Sequence, residues 1–222
     1  MPAVRSADTD VRSETLVAAT RLFAARGFEG TTLQDIADAV GVTKPAVLHY
    51  FPSKERMREA VLDGILEHWN RTLPRLLVAA SASRDRFNSV FGELVRFFSA
   101  DPDRARLLLR EALDRPAELR KLLRGSMRPW LAAVAQYVRA GRDGGRHHAD
   151  VDDEAYVLHM AQLVVIASAC ASVTSAVLPT AAVDRYEREL ARIARSSLFS
   201  PAALAAANGL HKRKRASRMS RR

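Results

Sequence analysis

The sequence predicts an all-α protein in which a small three-helix domain at the N-terminus precedes a larger helical domain. Apolar residues recur at intervals of three and four along most of the 222 residues, which is the periodicity of helices with one buried face. Glycine, proline and capping residues divide these periodic segments into about nine or ten helices. We see no apolar–polar alternation typical of strands and no internal repeat.

The first predicted helix runs from Val11 to Arg26. Its buried stripe consists of apolar residues at helical spacing: Leu16, Ala19 and Phe23. Gly27 follows directly, and a glycine in this position lets a helix end in a left-handed conformation. We expect Phe28 to fold back onto the last turn of this helix.

Residues 32–51, TLQDIADAVGVTKPAVLHYF, predict two short helices joined by a tight turn. Four apolar residues share one face of the first helix: Leu33, Ile36, Ala37 and Val40. Thr32 is placed to cap its start and Gly41 to end it. Thr43 caps the second helix, and Pro45 lies in its first turn, where a missing N–H costs nothing. Two helices joined by about three residues that include glycine are typical of a helix-turn-helix.

The second of these helices favours DNA recognition over an ordinary helical hairpin. Val47 and Phe51 face inward, which leaves an outward set: Lys44, Ala46, His49 and Tyr50. At about two turns the helix is too short to be stable alone. Its outward face carries aromatic and basic groups instead of the Glu–Lys pairs of a solvated surface helix.

Ser53 is placed to cap a fourth helix that starts at Lys54. Its apolar stripe is regular: Met57, Val61, Ile65 and Trp69. Pro74 is expected to kink or end it. Because this helix joins the first domain to the second, movement of its far end would tilt the first domain.

The remaining segments predict further helices over these ranges: 84–100, 103–114, 116–124, 127–141, 152–178 and 183–199. Residues 157–178 contain no Asp, Glu, Lys or Arg, and an uncharged segment of about 22 residues is long enough to span a membrane. We favour a helix buried on more than one side, because His159 and Gln162 suit lipid poorly and no second span follows.

The net charge of +10 says little about the N-terminal domain, because the excess lies elsewhere. Residues 1–55 hold six basic and seven acidic residues, whereas residues 209–222 hold seven basic residues and no acidic one. From His211 onward the chain holds one Met and no acidic residue, with one Leu just before it, so the tail over 201–222 is predicted to be disordered. A single cysteine, Cys170, excludes a disulfide framework, and the N-terminus lacks a signal-peptide core, so we expect a cytoplasmic protein.

One cluster outside the helix-turn-helix suggests other chemistry. His147 and His148 precede four acidic residues, Asp150, Asp152, Asp153 and Glu154, which would suit a metal-dependent enzyme. We favour a solvated loop whose acidic residues stabilise the start of the next helix, because adjacent residues seldom converge on one ion. Cys170 is interpreted as a core residue and His159 as a core histidine or, alternatively, a ligand contact. We therefore expect no metal, no cofactor and no enzymatic activity.

Several motifs resemble those of the TetR family of bacterial transcriptional repressors. They extend from about Val11 to Leu62: RLFAARGFEGTTL, then IADAVGV, then the Phe-x-Ser-Lys-Glu run from Phe51 to Glu55. The resemblance implies DNA contacts at positions that match the family pattern: Thr32, Gln34, Thr43, Lys44, Pro45, Ala46, His49, Tyr50 and Lys54. Lys54 matches a phosphate contact. Leu48 departs from the pattern, since the family usually has tyrosine there.

The family resemblance also implies a ligand cavity and a dimer interface in the second domain. Candidate pocket residues are mostly apolar and aromatic: Trp69, Phe91, Phe98, Met127, Trp130, Val134, Tyr137 and His159. For any single one of them, ordinary core is the favoured interpretation. We expect the dimer interface on two helices, which would form part of a four-helix bundle. One helix contributes a stripe of small residues: Ala167, Ala171 and Ser175. The other contributes a heptad-like apolar seam: Val183, Tyr186, Leu190 and Ile193.

These observations predict a helix-turn-helix DNA-binding domain over residues 8–68, with the motif at 32–51, and a ligand-binding and dimerisation domain over residues 69–200. The predicted function is a homodimeric repressor that binds an inverted-repeat operator and is released by a small, mostly apolar ligand. The alternative is a DNA-binding regulator controlled by a protein partner or by no ligand. The metal-dependent enzyme is the third possibility.

Overall fold

The computed structural model describes residues 3–81, 86–178 and 183–206, and in these ranges it is built of helices. The named helices are α1 Ala3–Arg26, α2 Leu33–Val40, α3 Lys44–Tyr50, α4 Lys54–Ser81, α5 Arg86–Ser99, α6 Pro102–Asp114, α7 Pro116–Ser126, α8 Arg128–Asp143, α9 Asp153–Ala169, α10 Ala171–Val177 and α11 Val183–Leu198. A further helix covers residues 201–206, so the prediction of disorder is wrong for these residues, whose alanines favour a helix. The all-α prediction is confirmed. Most of the predicted basic tail, residues 207–222, lies outside the described residues.

Two compact units divide the chain. The first comprises Met1–Met127 with Val164–Val173, and the second comprises Arg128–Leu163 with Thr174–Arg222. In the first unit the most deeply buried large side chains come from α1 to α4, α6 and α9: Phe23, Ile36, Val47, Met57, Leu107 and Val164. In the second unit Val138 and Leu198 are almost fully buried. The functional boundaries predicted above, 8–68 and 69–200, stay predictions.

Helix α4 continues beyond Pro74 to Ser81, so of the two alternatives predicted for this proline the end of the helix is wrong, and the kink stays a prediction. Proline lacks the N–H that would bond to the carbonyl of Asn70, four residues earlier. A helix of 28 residues keeps its other backbone hydrogen bonds, and losing one of them does not end it.

The uncharged segment is not one helix, because it breaks at Cys170 between α9 and α10. The carbonyl of Ala169 accepts a hydrogen bond from Arg106 Nε at 3.3 Å. The N–H of Val173, which would bond to that carbonyl in a continuous helix, bonds to the Cys170 carbonyl at 2.9 Å. The side chain of an α6 arginine thus replaces a helical hydrogen bond. Within the described ranges no single helix is long and apolar enough to cross a membrane; α9 and α10 pass that test only together, and they are bent by 65°.

Candidate nucleic-acid interface

Helix α2 starts with a complete capping box. Thr32 Oγ1 accepts a hydrogen bond from the Asp35 N–H at 3.1 Å, and an Asp35 carboxylate oxygen accepts one from the Thr32 N–H at 2.8 Å. The Thr32 side chain and backbone N–H, together with the nearby Arg26, lower the pKa of Asp35. Gly41 ends the helix at a φ of 77°, a conformation that favours glycine. Both predicted ends of α2 are confirmed.

Helix α3 presents the predicted outer surface. Thr43 caps it by accepting a hydrogen bond from the Ala46 N–H at 3.4 Å. Val47 and Phe51 are buried in the first unit, as expected. The outward residues are exposed or partly exposed: Thr43, Lys44, Pro45, Ala46, Leu48, His49 and Tyr50. The rings of His49 and Tyr50 meet edge to face with centroids 5.2 Å apart, so this surface combines hydrogen-bonding groups with aromatic and apolar ones.

At the start of α2, the two residues predicted to contact DNA already form hydrogen bonds within the protein. Thr32 and Gln34 are exposed, and Gln34 donates a hydrogen bond to Asp38 at 2.7 Å. The Thr32 hydroxyl donates to Asp35 at 2.6 Å. Contact with DNA at these two positions stays a prediction.

Lys54 begins α4 as predicted, but its amine is already engaged. Lys54 Nζ donates to the Phe28 carbonyl at 2.9 Å and lies 4.2 Å from the centroid of the Phe28 ring. Ser53 caps the same helix by accepting from the Arg56 N–H at 3.2 Å. An ammonium group has three donors. The bond to Phe28 therefore positions the charge and leaves donors for a phosphate oxygen.

Two arginines, Arg110 in α6 and Arg115 directly after it, contact the end of α1 and the turn that follows it. Sequence patterns did not predict these contacts. Arg110 Nε and Nη2 donate to the carbonyls of Ala24 and Ala25, at 2.8 and 3.0 Å, at the end of α1. Arg115 pairs with Glu29 at 2.5 Å and lies 4.1 Å from the Phe28 ring centroid. Cationic side chains favour the C-terminal end of a helix because its free carbonyls carry partial negative charge.

A buried ion pair joins α4 to α6. Arg58 Nε donates to the two carboxylate oxygens of Glu111 at 2.8 and 2.9 Å, and Arg58 Nη2 donates to the second of them. Arg58 and Glu111 are only 7% and 4% exposed to solvent. The hydrogen bonds that Arg58 donates to the Glu111 carboxylate raise the pKa of Arg58 against the opposing effect of burial. Arg58 therefore keeps its charge inside the first unit.

The predicted dimer residues lie in different surroundings in the single chain. Ala171, Ser175, Tyr186 and Ile193 are exposed, Ala167 is partly exposed, and Leu190 is buried. The side chain of Val183 lies outside the described part. Large apolar side chains on α9 to α11 are also exposed: Leu158, Ile166, Val173, Val177, Tyr186 and Ile193.

The predicted pocket residues fall four in each unit. In the first unit Trp69, Phe91 and Phe98 are buried and Met127 is partly exposed; in the second unit Trp130 is buried and Val134 and Tyr137 are partly exposed. His159 is exposed, so the expectation of a core histidine is wrong for the single chain: α9 turns this position outward. A groove of about 340 Å³ between α1 and α2 is lined by none of these residues.

Two of the buried aromatic residues show contrasting environments. The ring of Phe91 stacks on Phe87 with centroids 5.4 Å apart. The indole N–H of Trp130 is buried and donates to no acceptor in the part of the chain that the structure describes. A buried donor without an acceptor costs free energy, and native proteins contain few such groups.

Several side chains of residues 147–154 form hydrogen bonds or ion pairs with other residues of the second unit. His148 bonds to the Ser196 carbonyl at 3.2 Å, and Asp152 caps α9 by accepting from the Ala155 N–H at 2.8 Å. Asp153 pairs with Arg139 at 2.5 Å. Across residues 3–81, 86–178 and 183–206, no three His, Cys, Asp or Glu side chains converge on a possible metal position.

His147 is buried and joins the end of α8 to the end of α11. Its Nδ1 lies 2.8 Å from the Val138 carbonyl, so Nδ1 carries the proton of the neutral ring. The ring meets Phe199 edge to face at 4.9 Å, and the backbones of the two residues form a bridge. Nε2 is buried and has no hydrogen-bond partner within the described ranges.

Acidification is expected to destabilise the second unit through His147. Burial lowers the pKa of His147 below its usual value, against the bond to Val138. The unfolded chain therefore binds more protons, and stability that is complete above the unfolded pKa of about 6.5 is lost as the pH falls towards the folded value. Urea unfolding of a Trp69→Phe variant, followed by Trp130 fluorescence between about pH 7 and pH 5, measures this slope. His147→Gln should flatten it, and an unchanged slope would rule out His147 as the source.

Comparisons with known proteins agree with the geometry of the first unit. A family model described as bacterial regulatory proteins of the tetR family matches residues 16–61. The chain is 46% identical over 56 residues to the transcriptional repressor KstR2 of Rhodococcus jostii, covering 25% of this chain and 28% of that protein. It is 34% identical over 137 residues to the transcriptional regulator RutR of Escherichia coli K12, covering 57% and 61%.

A solved structure extends the likeness beyond the helix-turn-helix. The ketosteroid transcriptional regulator KstR2 of Mycobacterium tuberculosis superimposes with a TM-score of 0.65 at 21% identity, covering 85% of this chain and 95% of that one. At this identity the likeness shows the fold alone. The sequence matches to the two curated relatives span 28% and 61% of their lengths, which leaves most of the second domain to be argued from this chain's own residues.

Proposed function

Because the chain belongs to the TetR family of bacterial transcriptional regulators, we propose that it is a cytoplasmic, homodimeric repressor that binds an inverted-repeat operator. The observation that carries this proposal is the surface of α3, which is held by caps at both ends and exposes Lys44 and His49. A helix of this kind enters the major groove, where its side chains meet base edges. Selection of bound sequences from random duplex DNA tests the proposal. Recovery of no preferred sequence would contradict it.

We propose that Lys54 contacts phosphate and that Lys44 contacts bases, and alanine substitutions should distinguish these two roles. Lys54→Ala should weaken binding to all sequences by a similar factor and lower the salt slope by about 1, because phosphate contacts carry no sequence information. Lys44→Ala should instead alter base preference. Fluorescence anisotropy at several salt concentrations measures both, with exposed Lys121→Ala as the matched control. An unchanged salt slope for a folded Lys54→Ala protein would rule out the phosphate contact.

The dimer is proposed because apolar side chains that a monomer would normally bury are exposed. Val173 and Val177 are 66% and 78% exposed, and Ile193 is 41% exposed. Closed two-fold dimers use the same surface on both chains, and exposed apolar residues on α10 and α11 can serve in this way. Two copies of the chain then present two copies of α3.

We further propose that a small, mostly apolar ligand releases the operator. The buried indole N–H of Trp130 supports this proposal, since a ligand that carries one hydrogen-bond acceptor would satisfy it. Such a ligand must stabilise the free protein and weaken the operator complex by the same coupling free energy, usually about 1–3 kcal/mol.

One observation favours the alternative, a regulator controlled by a protein partner or without ligand. Trp69 and Phe98 contact each other with centroids 6.4 Å apart, and Phe91 stacks on Phe87, so these rings form core in the first unit. A ligand screen by thermal shift separates the two functions. If no stabilising ligand weakens the operator complex, the alternative is favoured.

A further inference from the structure

Leu48 is an exposed apolar residue on the helix that is proposed to read the operator. It is 36% exposed, while its neighbour Val47 is fully buried and holds α3 against the first unit. Leu48 lies one helical turn after Lys44, so the two side chains share a side of α3. Thr43, Lys44, His49 and Tyr50 offer hydrogen-bonding or cationic groups on the same surface, whereas Leu48, like the smaller Pro45 and Ala46, offers neither.

The chemistry of the major groove limits what such a side chain can recognise. Hydrogen-bond donors and acceptors mark the four base pairs there, and the C5 methyl group of thymine is the one apolar mark among them. A leucine side chain gains free energy when it covers a methyl group and excludes water from it. It gains nothing comparable from a base edge that displays only polar atoms, because those atoms would lose hydrogen bonds to water.

We propose that Leu48 is a specificity-determining residue that contacts the C5 methyl group of a thymine in each half-site. This inference rests on the proposed function and deepens it by naming a base. The tyrosine that the family usually has at this position carries a hydroxyl group. Leucine removes that hydrogen-bonding group and replaces it with branched methyl groups, which changes the kind of contact that this position can make.

The contact is tested by replacing thymines one at a time with deoxyuridine, which lacks only the methyl group. The probe is an operator obtained by selection from random DNA. For the wild-type protein, one or two thymines in each half-site should show a loss of affinity of about fourfold, the scale of burying one methyl group. With Leu48→Ala, the same substitutions should have no effect. The sensitivity should persist in Leu48→Met, which keeps an apolar side chain of similar volume.

Leu113→Ala is the matched control, because Leu113 is a 73% exposed leucine on α6. It should leave every deoxyuridine effect unchanged. Wild-type protein that binds the operator but is insensitive to all deoxyuridine substitutions would overturn the assignment of Leu48, as would Leu48→Ala protein that retains the full sensitivity. If selection yields no preferred sequence at all, the proposed function fails instead. The two failures are therefore distinguishable.

Discussion

Replacing Glu111 by leucine is expected to lower the free energy of unfolding of the first unit by about 3–5 kcal/mol. The substitution removes the carboxylate that accepts hydrogen bonds from Arg58 Nε and Nη2. Arg58 retains only 7% of its exposure and cannot reach water without moving. A buried guanidinium without its partner bears the desolvation cost without the compensating attraction.

The double variant Arg58→Met, Glu111→Leu separates the cost of an unpaired charge from the value of the pair. Apolar residues of similar volume often replace a buried ion pair with little loss or even a gain. We therefore expect the double variant to recover most of the lost stability. Glu59→Leu is the matched control, since Glu59 forms an ion pair with Arg56 on the exposed face of α4 in the same unit and its loss should have little effect.

The two tryptophans allow this measurement to be assigned to one unit. Trp69 lies in the first unit and Trp130 in the second, and the chain has no other tryptophan. In a Trp130→Phe background, urea unfolding followed by fluorescence reports on the first unit. A Glu111→Leu protein with the wild-type urea midpoint would contradict the structural importance of this pair.

Gly141→Ala is expected to lower the stability of the second unit by about 2–4 kcal/mol, although alanine normally favours a helix over glycine. A Cβ at this position would lie 2.0 to 2.5 Å from three atoms of the His147 ring. The ring can move only by giving up its 2.8 Å bond to the Val138 carbonyl and its packing against Phe199. Overpacking costs about 1–3 kcal/mol and a lost buried hydrogen bond a similar amount, against roughly 0.5–1 kcal/mol gained from removing glycine.

Gly64→Ala is the control for this helix effect, because a Cβ at Gly64 in α4 meets nothing within 4 Å. It should raise stability by about 0.5–1 kcal/mol. Combining Gly141→Ala with His147→Ala should cost less than the sum of the two single changes, since both act on one contact. Trp130 fluorescence in a Trp69→Phe background measures the changes at Gly141 and His147, and Trp69 fluorescence in a Trp130→Phe background measures the change at Gly64. Equal stability of the Gly141→Ala and wild-type proteins would show that the ring can relocate freely.

The helix-turn-helix could be predicted because its determinants are local. Thr32, Gly41 and Thr43 fix the ends of α2 and α3 through hydrogen bonds and backbone conformations within a few residues. The inward positions Val47 and Phe51 followed from helical spacing alone, and both are buried. Caps and periodicity act over one or two turns, so they can be recognised in a single sequence.

The features that prediction missed depend on residues far apart in the chain. Arg58 and Glu111 are 53 residues apart, and no pattern marks them as partners. The break at Cys170 depends on Arg106, which is 63 residues from the carbonyl it binds. Local propensity favoured one long helix there, and a tertiary hydrogen bond overrode it. At Pro74 the predicted alternative of a helix end failed for a different reason, since a single lost hydrogen bond does not outweigh the rest of α4.

The central claim, a dimer that reads two half-sites through α3, is tested most directly by the stoichiometry and affinity of DNA binding. The probes are the selected operator as an inverted repeat and a duplex that carries one half-site. Two chains should bind the inverted repeat cooperatively, and the half-site should bind far more weakly, because recognition helices of a dimer reach successive major grooves about 34–36 Å apart. Equal affinity for both duplexes, with one chain on each site, would contradict the account.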